Sequence, residues 1–447
     1  MMRASPPITQ KRILAFWAPM AATWLMMAVE GPFLAAVIAR LDQPKVNLAA
    51  YGVALAVALM MESPIIMMLS AATALVESAP SFHRLKNFTY TLNLLLTAAI
   101  IAMLATPFWR FLAGHLIGLP PAVVILTQKA LLLLIPWPAA IGYRRFYQGI
   151  LIRSGHTRRV AYGTVVRLSA MAATGLALAL QTSTPGALIG AAALSAGVSA
   201  EAVASRFMSM QVVRDLLDPN LQPTAPRDPL TYSRIIAFYY PLFLTSTISM
   251  AAQPVVTFFM GRAPFPLESL AVLPVIITMV FIFRSLGLAY QEVGIALLAR
   301  SARNRAPVLR FAFNLALLDS LALAAIAFSP LGTLWFRQVA GLTQELTGFA
   351  LPPVKILVLM PALSVLLSLQ RAILVHDRRT RPITWATLLE LGGIVGVLLY
   401  SIQNLSLPGA TAAAIAFMAG RLAANLVLVP PCLKALAGKK PDLVAAG

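Results

Sequence analysis

Acidic residues, histidines and cysteines are all scarce in this chain of 447 residues. The single cysteine, Cys432, rules out an intramolecular disulfide. The four histidines, His83, His115, His156 and His376, fall in loops or at the ends of apolar stretches, far apart in sequence. That spacing disfavours a metal cluster. No G-x-x-x-x-G-K-[ST] phosphate loop occurs, so ATP hydrolysis is not expected. No H-E-x-x-H occurs either, and no catalytic constellation stands out, so neither an enzyme nor a cofactor is expected. Charged residues make up only 11% of the chain and hydrophobic ones 59%. A soluble protein of this size has too little interior to hide that much apolar surface.

About a dozen long apolar stretches fill the chain instead. They run near 12–38, 48–76, 88–112, 122–152, 160–181, 185–212, 233–260, 267–298, 307–336, 349–375, 382–403 and 408–433. Each exceeds the roughly 20 residues that cross a bilayer, and the longer ones predict tilted helices projecting beyond it. The stretches form two matching halves. Pro32 to Arg40 (PFLAAVIAR) reappears as Pro254 to Arg262 (PVVTFFMGR), and Leu48-Ala49 as Leu270-Ala271, at a constant offset of 222 (254 − 32). The Pro-rich polar stretch 213–232 separates them as a linker, which predicts bundles over 1–212 and 233–447. Polytopic proteins built of two homologous halves are usually transporters, with the site between the halves near mid-membrane.

The net charge of +20 invites a nucleic-acid reading, but its distribution opposes one. Lys and Arg concentrate in alternate loops: Arg3, Lys11 and Arg12; Arg84 and Lys86; Arg153, Arg158 and Arg159; Arg214, Arg227 and Arg234; Arg300, Arg303, Arg305 and Arg310; Arg378, Arg379 and Arg381; Lys434, Lys439 and Lys440. The positive-inside rule then places both termini in the cytoplasm of a multi-pass protein of the plasma (inner) membrane. Anionic headgroups are the simplest partner for this charge.

Ionisable residues at bilayer depth are costly and therefore candidates for function. They include Glu30 in span 1, Glu62 in span 2, Arg144 and Arg145 in span 4, Arg167 in span 5, and Glu201 and Arg206 in span 6. Arg284 and Glu292 follow in span 8, Asp319 in span 9, Arg371 in span 10, Glu390 in span 11 and Arg421 in span 12. Arg206, Glu292 and Arg421 lie near span ends, where snorkelling or local pairing accounts for them. The deeper charges follow the repeat: Glu62 plus 222 is Arg284, Arg167 plus 223 is Glu390, and Glu30 plus 223 is Gln253. One account of the opposite charges at related positions is that Glu62 faces Arg284 and Arg167 approaches Glu390 across a central cleft, in pairs that form in one access state and part in the other. Arg144 and Arg145 are adjacent, so at most one faces a given cavity directly. With Arg167, Arg284 and Arg371 they either line a basic cavity suited to an anion or, at the end of span 4, meet lipid phosphates.

Several short motifs carry a family resemblance. Pro19, the stretch to Arg40-Leu41, and Leu48-Ala49-Ala50-Tyr51-Gly52 resemble the opening of multidrug and toxic compound extrusion (MATE) transporters. Within that flippase superfamily, Glu30, Ala50-Tyr51-Gly52, Ser63-Pro64 and Gln148-Gly149-Ile150-Leu151-Ile152-Arg153 are similar to the progressive ankylosis family. Ordinary MATE transporters carry a cation-coupling Asp in span 1. The position six before Arg40 is Leu34 here, with Glu30 one turn earlier. The resemblance implies an all-α membrane protein of about twelve helices in two pseudo-symmetric six-helix bundles, working by alternating access. It implies export of small organic or phosphorylated anions such as pyrophosphate, citrate or nucleotides.

Taken together, these readings assign substrate binding to Arg144, Arg145, Arg167, Arg284 and Arg371. Coupling to a proton or sodium, or gating, falls to Glu30, Glu62, Gln253 and Glu390. The partners are a small molecule and the lipid bilayer, with no nucleic acid, for a monomeric secondary transporter. Two alternatives stay open: a proton- or sodium-coupled exporter of cationic drugs, and a flippase for lipid-linked oligosaccharides.

Overall fold

The computed structural model describes residues 8–105, 107–218, 230–300, 304–377, 379 and 381–437. The middle of the expected linker (219–229) lies outside the described residues, as do Arg3, Arg227, Arg303, Arg378, Lys439 and Lys440. Among the described residues there is no β-strand. Twelve helical segments are long and apolar enough to cross a membrane. Spans 1 to 6 are Gln10–Ala39, Pro44–Glu62, Ala79–Leu104, Pro121–Arg153, Arg158–Gln181 and Gly186–Leu217. Spans 7 to 12 are Tyr232–Met260, Pro266–Leu298, Arg305–Ala327, Gln344–His376, Arg381–Asn404 and Gly409–Ala437. Helix is the form expected here, because a segment in hydrocarbon must satisfy its own backbone hydrogen bonds.

The repeat seen in a few motifs extends through the whole architecture. Span 4 breaks after Pro121–Leu133 and resumes as Trp137–Arg153. Span 10 breaks after Gln344–Ile356 and resumes as Met360–His376. Both pairs start 223 residues apart (344 − 121 and 360 − 137), and so do the starts of spans 6 and 12 (409 − 186). The prolines divide into two kinds. Pro136 and Pro361 lie at real breaks, whereas Pro19, Pro32, Pro241 and Pro274 lie inside continuous helix. At Pro19 and Pro241, 222 apart, the proline carbonyl accepts a hydroxyl hydrogen bond from the threonine four residues on, Thr23 and Thr245. Such side-chain bonds are one way a membrane helix tolerates proline.

Two compact units emerge from the packing, and they do not follow the 1–212 and 233–447 halves. One gathers Met1–Phe33, Ala263–Phe265 and Val272–Gly447; the other gathers Leu34–Arg262 and Pro266–Ala271. We refer to them as the C-unit and the N-unit. Each is built mainly from one half, with that half's opening helix exchanged for the opening helix of the other. The anchors are themselves symmetry mates. In the C-unit, the Trp17 indole donates to the Leu286 carbonyl at 3.2 Å and its ring meets Phe311 edge-on at 5.8 Å. In the N-unit, the Tyr239 hydroxyl donates to the Pro64 carbonyl at 2.7 Å and its ring meets Phe88 edge-on at 5.5 Å. Tyr239 follows Trp17 by 222 and Leu286 follows Pro64 by 222. The bond to Pro64 has a local cause. Span 2 ends at Glu62, a turn follows, and the chain resumes as Met68–Leu75. That break frees carbonyls in an apolar setting. Tyr239 takes one and the Ser246 hydroxyl takes that of Ser63 at 2.7 Å.

Candidate functional site

The N-unit holds a cluster of buried charge assembled from four spans. Glu62 is the last helical residue of span 2, and Trp137 opens the second segment of span 4 after its proline break. Their side chains meet, with the Trp137 indole donating to Glu62 Oε2 at 2.6 Å. Two turns further along, Arg144 and Gln148 stand four residues apart and so share a helix face. Both reach Glu201 of span 6. Arg144 forms an ion pair with Oε2, and the Gln148 amide donates to Oε1 at 2.9 Å. Arg167 of span 5 adds its Nε at 3.6 Å from Glu201 Oε2. Glu201 is 1% exposed and collects two guanidinium groups and one carboxamide. Gly197, one turn before Glu201, permits the approach. A Cβ there would sit 2.9 Å from the Arg167 carbonyl oxygen and 3.0 Å from the Met171 Cβ.

The C-unit repeats this arrangement with the charges exchanged. Glu390 of span 11 accepts from Arg421 of span 12, whose Nε and Nη2 both lie 2.8 Å from Oε1. Gly420 plays the part of Gly197, since a Cβ there would sit 2.6 Å from the Glu390 carbonyl oxygen. Gly197 to Gly420 and Arg167 to Glu390 are both steps of 223. In the first half, therefore, the basic residue is on the fifth span and the acidic one on the sixth; in the second half the order is reversed. Arg284 donates from Nε to the Ser364 hydroxyl at 3.2 Å, and both Arg284 and Arg371 lie within electrostatic range of Glu390 and Arg421.

Glu62, Arg284, Arg167 and Glu390 each take a partner from their own unit: Trp137, Ser364, Glu201 and Arg421. Arg144 and Arg145 diverge as adjacent helical residues must. Arg144 turns to Glu201, whereas the buried Arg145 Nε has no hydrogen-bond partner among the described residues. Arg371 Nε is in the same position. Glu30 is half-buried on span 1 in the C-unit and Gln253 half-buried on span 7 in the N-unit. They are not brought together within one unit. Arg421 pairs locally with Glu390, one of the two roles expected of a charge near a span end.

Glu201 and Asp319, both among the intramembrane charges of the sequence, stand outside the residues assigned there to binding or coupling. Glu201 was only one of many intramembrane charges, and its signal was the glycine one turn earlier. Asp319 of span 9 is 4% exposed, and both its carboxylate oxygens are buried without a hydrogen-bond partner among the described residues. No spacing in the sequence marks it out.

Among the described residues, twelve candidate spans in two charge-bearing repeats define a polytopic membrane protein. Its fold is shared with solved transporters of the MATE family and with a lipid II flippase. An inward-facing MATE multidrug resistance transporter superposes with a TM-score of 0.71 at 15% identity, over 93% of this chain and 95% of that one. The lipid II flippase MurJ, in an inward closed conformation, gives 0.69 at 14% identity, over 94% and 90%. A MOP-superfamily transporter from Pyrococcus furiosus gives 0.56 at 16% identity, over 96% and 97%. For that protein, reverse polarity of the binding pocket is taken to suggest a different function. No protein-family model matches the chain, and neither does any curated protein.

Proposed function

We propose that the chain is a secondary transporter that exports small organic or phosphorylated anions across the inner membrane by alternating access. One observation carries the anion assignment: guanidinium groups outnumber carboxylates in both clusters. The N-unit sets Arg144, Arg145 and Arg167 against Glu62 and Glu201, and the C-unit sets Arg284, Arg371 and Arg421 against Glu390. Buried charge is tolerated when paired, so the missing negative charge is what a substrate supplies. A guanidinium fork also matches carboxylate and phosphate geometry. A cationic drug would need the opposite balance.

In this reading Glu201 acts as the protein's own stand-in for substrate. An incoming anion competes with it for Arg144 and Arg167. Glu62 and Glu390 offer coupling to a proton or sodium in the two units, with Glu30 and Gln253 on the opening helices. Pro32 stands beside the Phe33–Leu34 boundary where span 1 passes from one unit to the other, and so supplies a hinge. For the cycle to run, substrate must bind the two access states with different affinity.

The test is thermal stability of the purified protein against pyrophosphate, citrate, malate, ATP and lipophilic cations. A ligand at a hundred times its Kd stabilises by about 2.7 kcal/mol if it binds only the folded form. Stabilisation by an anion, abolished in Arg145→Ala or Arg284→Ala, supports the proposal. Stabilisation only by cations, abolished in Glu30→Gln, would transfer the assignment to a cation exporter.

A further inference from the structure

Spans 4 and 6 also form a groove that takes no part in the charge cluster. Its cavity measures about 510 Å³. Along span 4 it is lined by Pro136, Ala139, Ala140 and Tyr143, and along span 6 by Ser199, Ala202, Val203, Arg206 and Phe207. Both sets follow the 3.6-residue helical period, so two parallel stripes face each other. Small side chains form the floor. Val203 and Phe207 form a rim that is 55% and 63% exposed.

On span 6 the groove and the cluster lie on different sides of the helix. At 100° per residue, Glu201 and Gly190 lie on the opposite side of span 6 from Ser199 and Arg206, with Ala202 about 100° from Glu201. That opposite side is the one turned to span 2, since a Cβ on Gly190 would meet the Tyr51 ring at 2.8 Å. An exposed apolar rim on a membrane-spanning helix is a surface for acyl chains. From Ser199 to Arg206 the helix rises about 10 Å, against a leaflet hydrocarbon depth of roughly 15 Å.

One end of this apolar groove is basic and aromatic. Arg206 lies over the Tyr147 ring at 5.1 Å, and its buried Nη1 has no hydrogen-bond partner among the described residues. Tyr143 stacks on Tyr90 at 6.0 Å, and the Lys86 ammonium lies 6.0 Å from the Tyr90 ring. Arg206 is twenty residues past Gly186, about 30 Å along the helix, which places it at the interface carrying Arg158, Arg159 and Arg214. Aromatic rings with a guanidinium at headgroup depth are what an anionic lipid phosphate meets.

The geometry points to a binding site for an anionic glycerophospholipid of the cytoplasmic leaflet, with its phosphate on Arg206 and one acyl chain in the groove between spans 4 and 6. The full chain, delipidated in detergent, would be offered phosphatidylglycerol and phosphatidylcholine of identical acyl chains and observed by native mass spectrometry. Phosphatidylglycerol is expected to bind about fivefold more strongly. Arg206→Gln is expected to erase that preference, and Ala140→Trp, which fills the groove, to lower the binding of both lipids. Equal binding of the two lipids by the parent protein, or an unchanged preference in Arg206→Gln, would overturn the assignment. Displacement of phosphatidylglycerol by inorganic phosphate alone would also overturn it, since the acyl chain would then contribute nothing. Should Ala140→Trp fail to fold, phosphatidylglycerol carrying a mid-chain photoreactive group decides the matter. Cross-links on 136–143 and 199–207 are expected, and cross-links confined to other segments exclude the groove.

Discussion

Replacing Glu201 by Gln tests whether its charge, rather than its hydrogen bonds, holds the N-unit cluster together. The substitution keeps the shape of the side chain and an acceptor oxygen. If Glu201 served only as an acceptor, the loss would be that of one ordinary hydrogen bond, about 1 kcal/mol. The structure demands more. Arg144 and Arg167 both depend on this carboxylate, which is 1% exposed, and neutralising it leaves two buried guanidinium groups uncompensated. Removing one partner of a buried pair costs about 3–5 kcal/mol. Reversible unfolding in mixed micelles, followed by tryptophan fluorescence, distinguishes the two magnitudes. In the double variant Glu201→Gln with Arg144→Gln, one stranded charge disappears, so a coupling of about 0.5–3 kcal/mol is expected. Glu77→Gln is the control. Its pair with Arg153 is 60% and 38% exposed, and such pairs contribute about 0–1 kcal/mol. A Glu201→Gln protein within about 1 kcal/mol of the parent, with simple additivity in the double variant, would refute the ion-pair account.

Other substitutions probe the remaining features, all read by the same unfolding measurement. Gly197→Ala and Gly420→Ala should each destabilise by about 1–3 kcal/mol, because the new Cβ meets backbone oxygen at 2.9 and 2.6 Å; a neutral result at either would mean the helices part easily there. Asp319→Leu should stabilise by about 1–3 kcal/mol by removing a buried carboxylate whose oxygens lack partners; destabilisation would show that the carboxylate is satisfied in solution. Tyr239→Phe should cost about 1 kcal/mol through the lost bond to Pro64, and Trp17→Phe a similar amount through the lost bond to Leu286. Since the two anchors lie in different units, their effects should add to within about 0.5 kcal/mol.

Much of the architecture was readable from residues alone, because crossing a bilayer imposes length and hydropathy on each span. The repeat was visible in Pro32–Arg40 and Pro254–Arg262, and the helix breaks extend the same offset to spans 4 and 10. Charge at depth was also readable, since Arg144, Arg167, Arg284 and Glu390 each interrupt an apolar run. The choice of partner was not. Symmetry relates Arg167 to Glu390 but says nothing of Glu201, which Arg167 meets where Gly197 lets spans 5 and 6 close together. The prolines were equally silent about which of them break a helix. Pro136 stands at a break and Pro241 does not.

The amino-acid sequence by itself determined a membrane protein of twelve spans in two related halves, with arginine in excess among its intramembrane charges. These properties follow from composition and period, which act locally along the chain. Only the tertiary structure decided which carboxylate neutralises which guanidinium, and that the opening helix of each half packs with the other. Both depend on contacts between residues more than 30 positions apart, such as Arg167 with Glu201 and Trp17 with Leu286. An ion pair is selected by the few ångströms of approach that a glycine or a proline break permits, and no periodicity in the sequence encodes that distance.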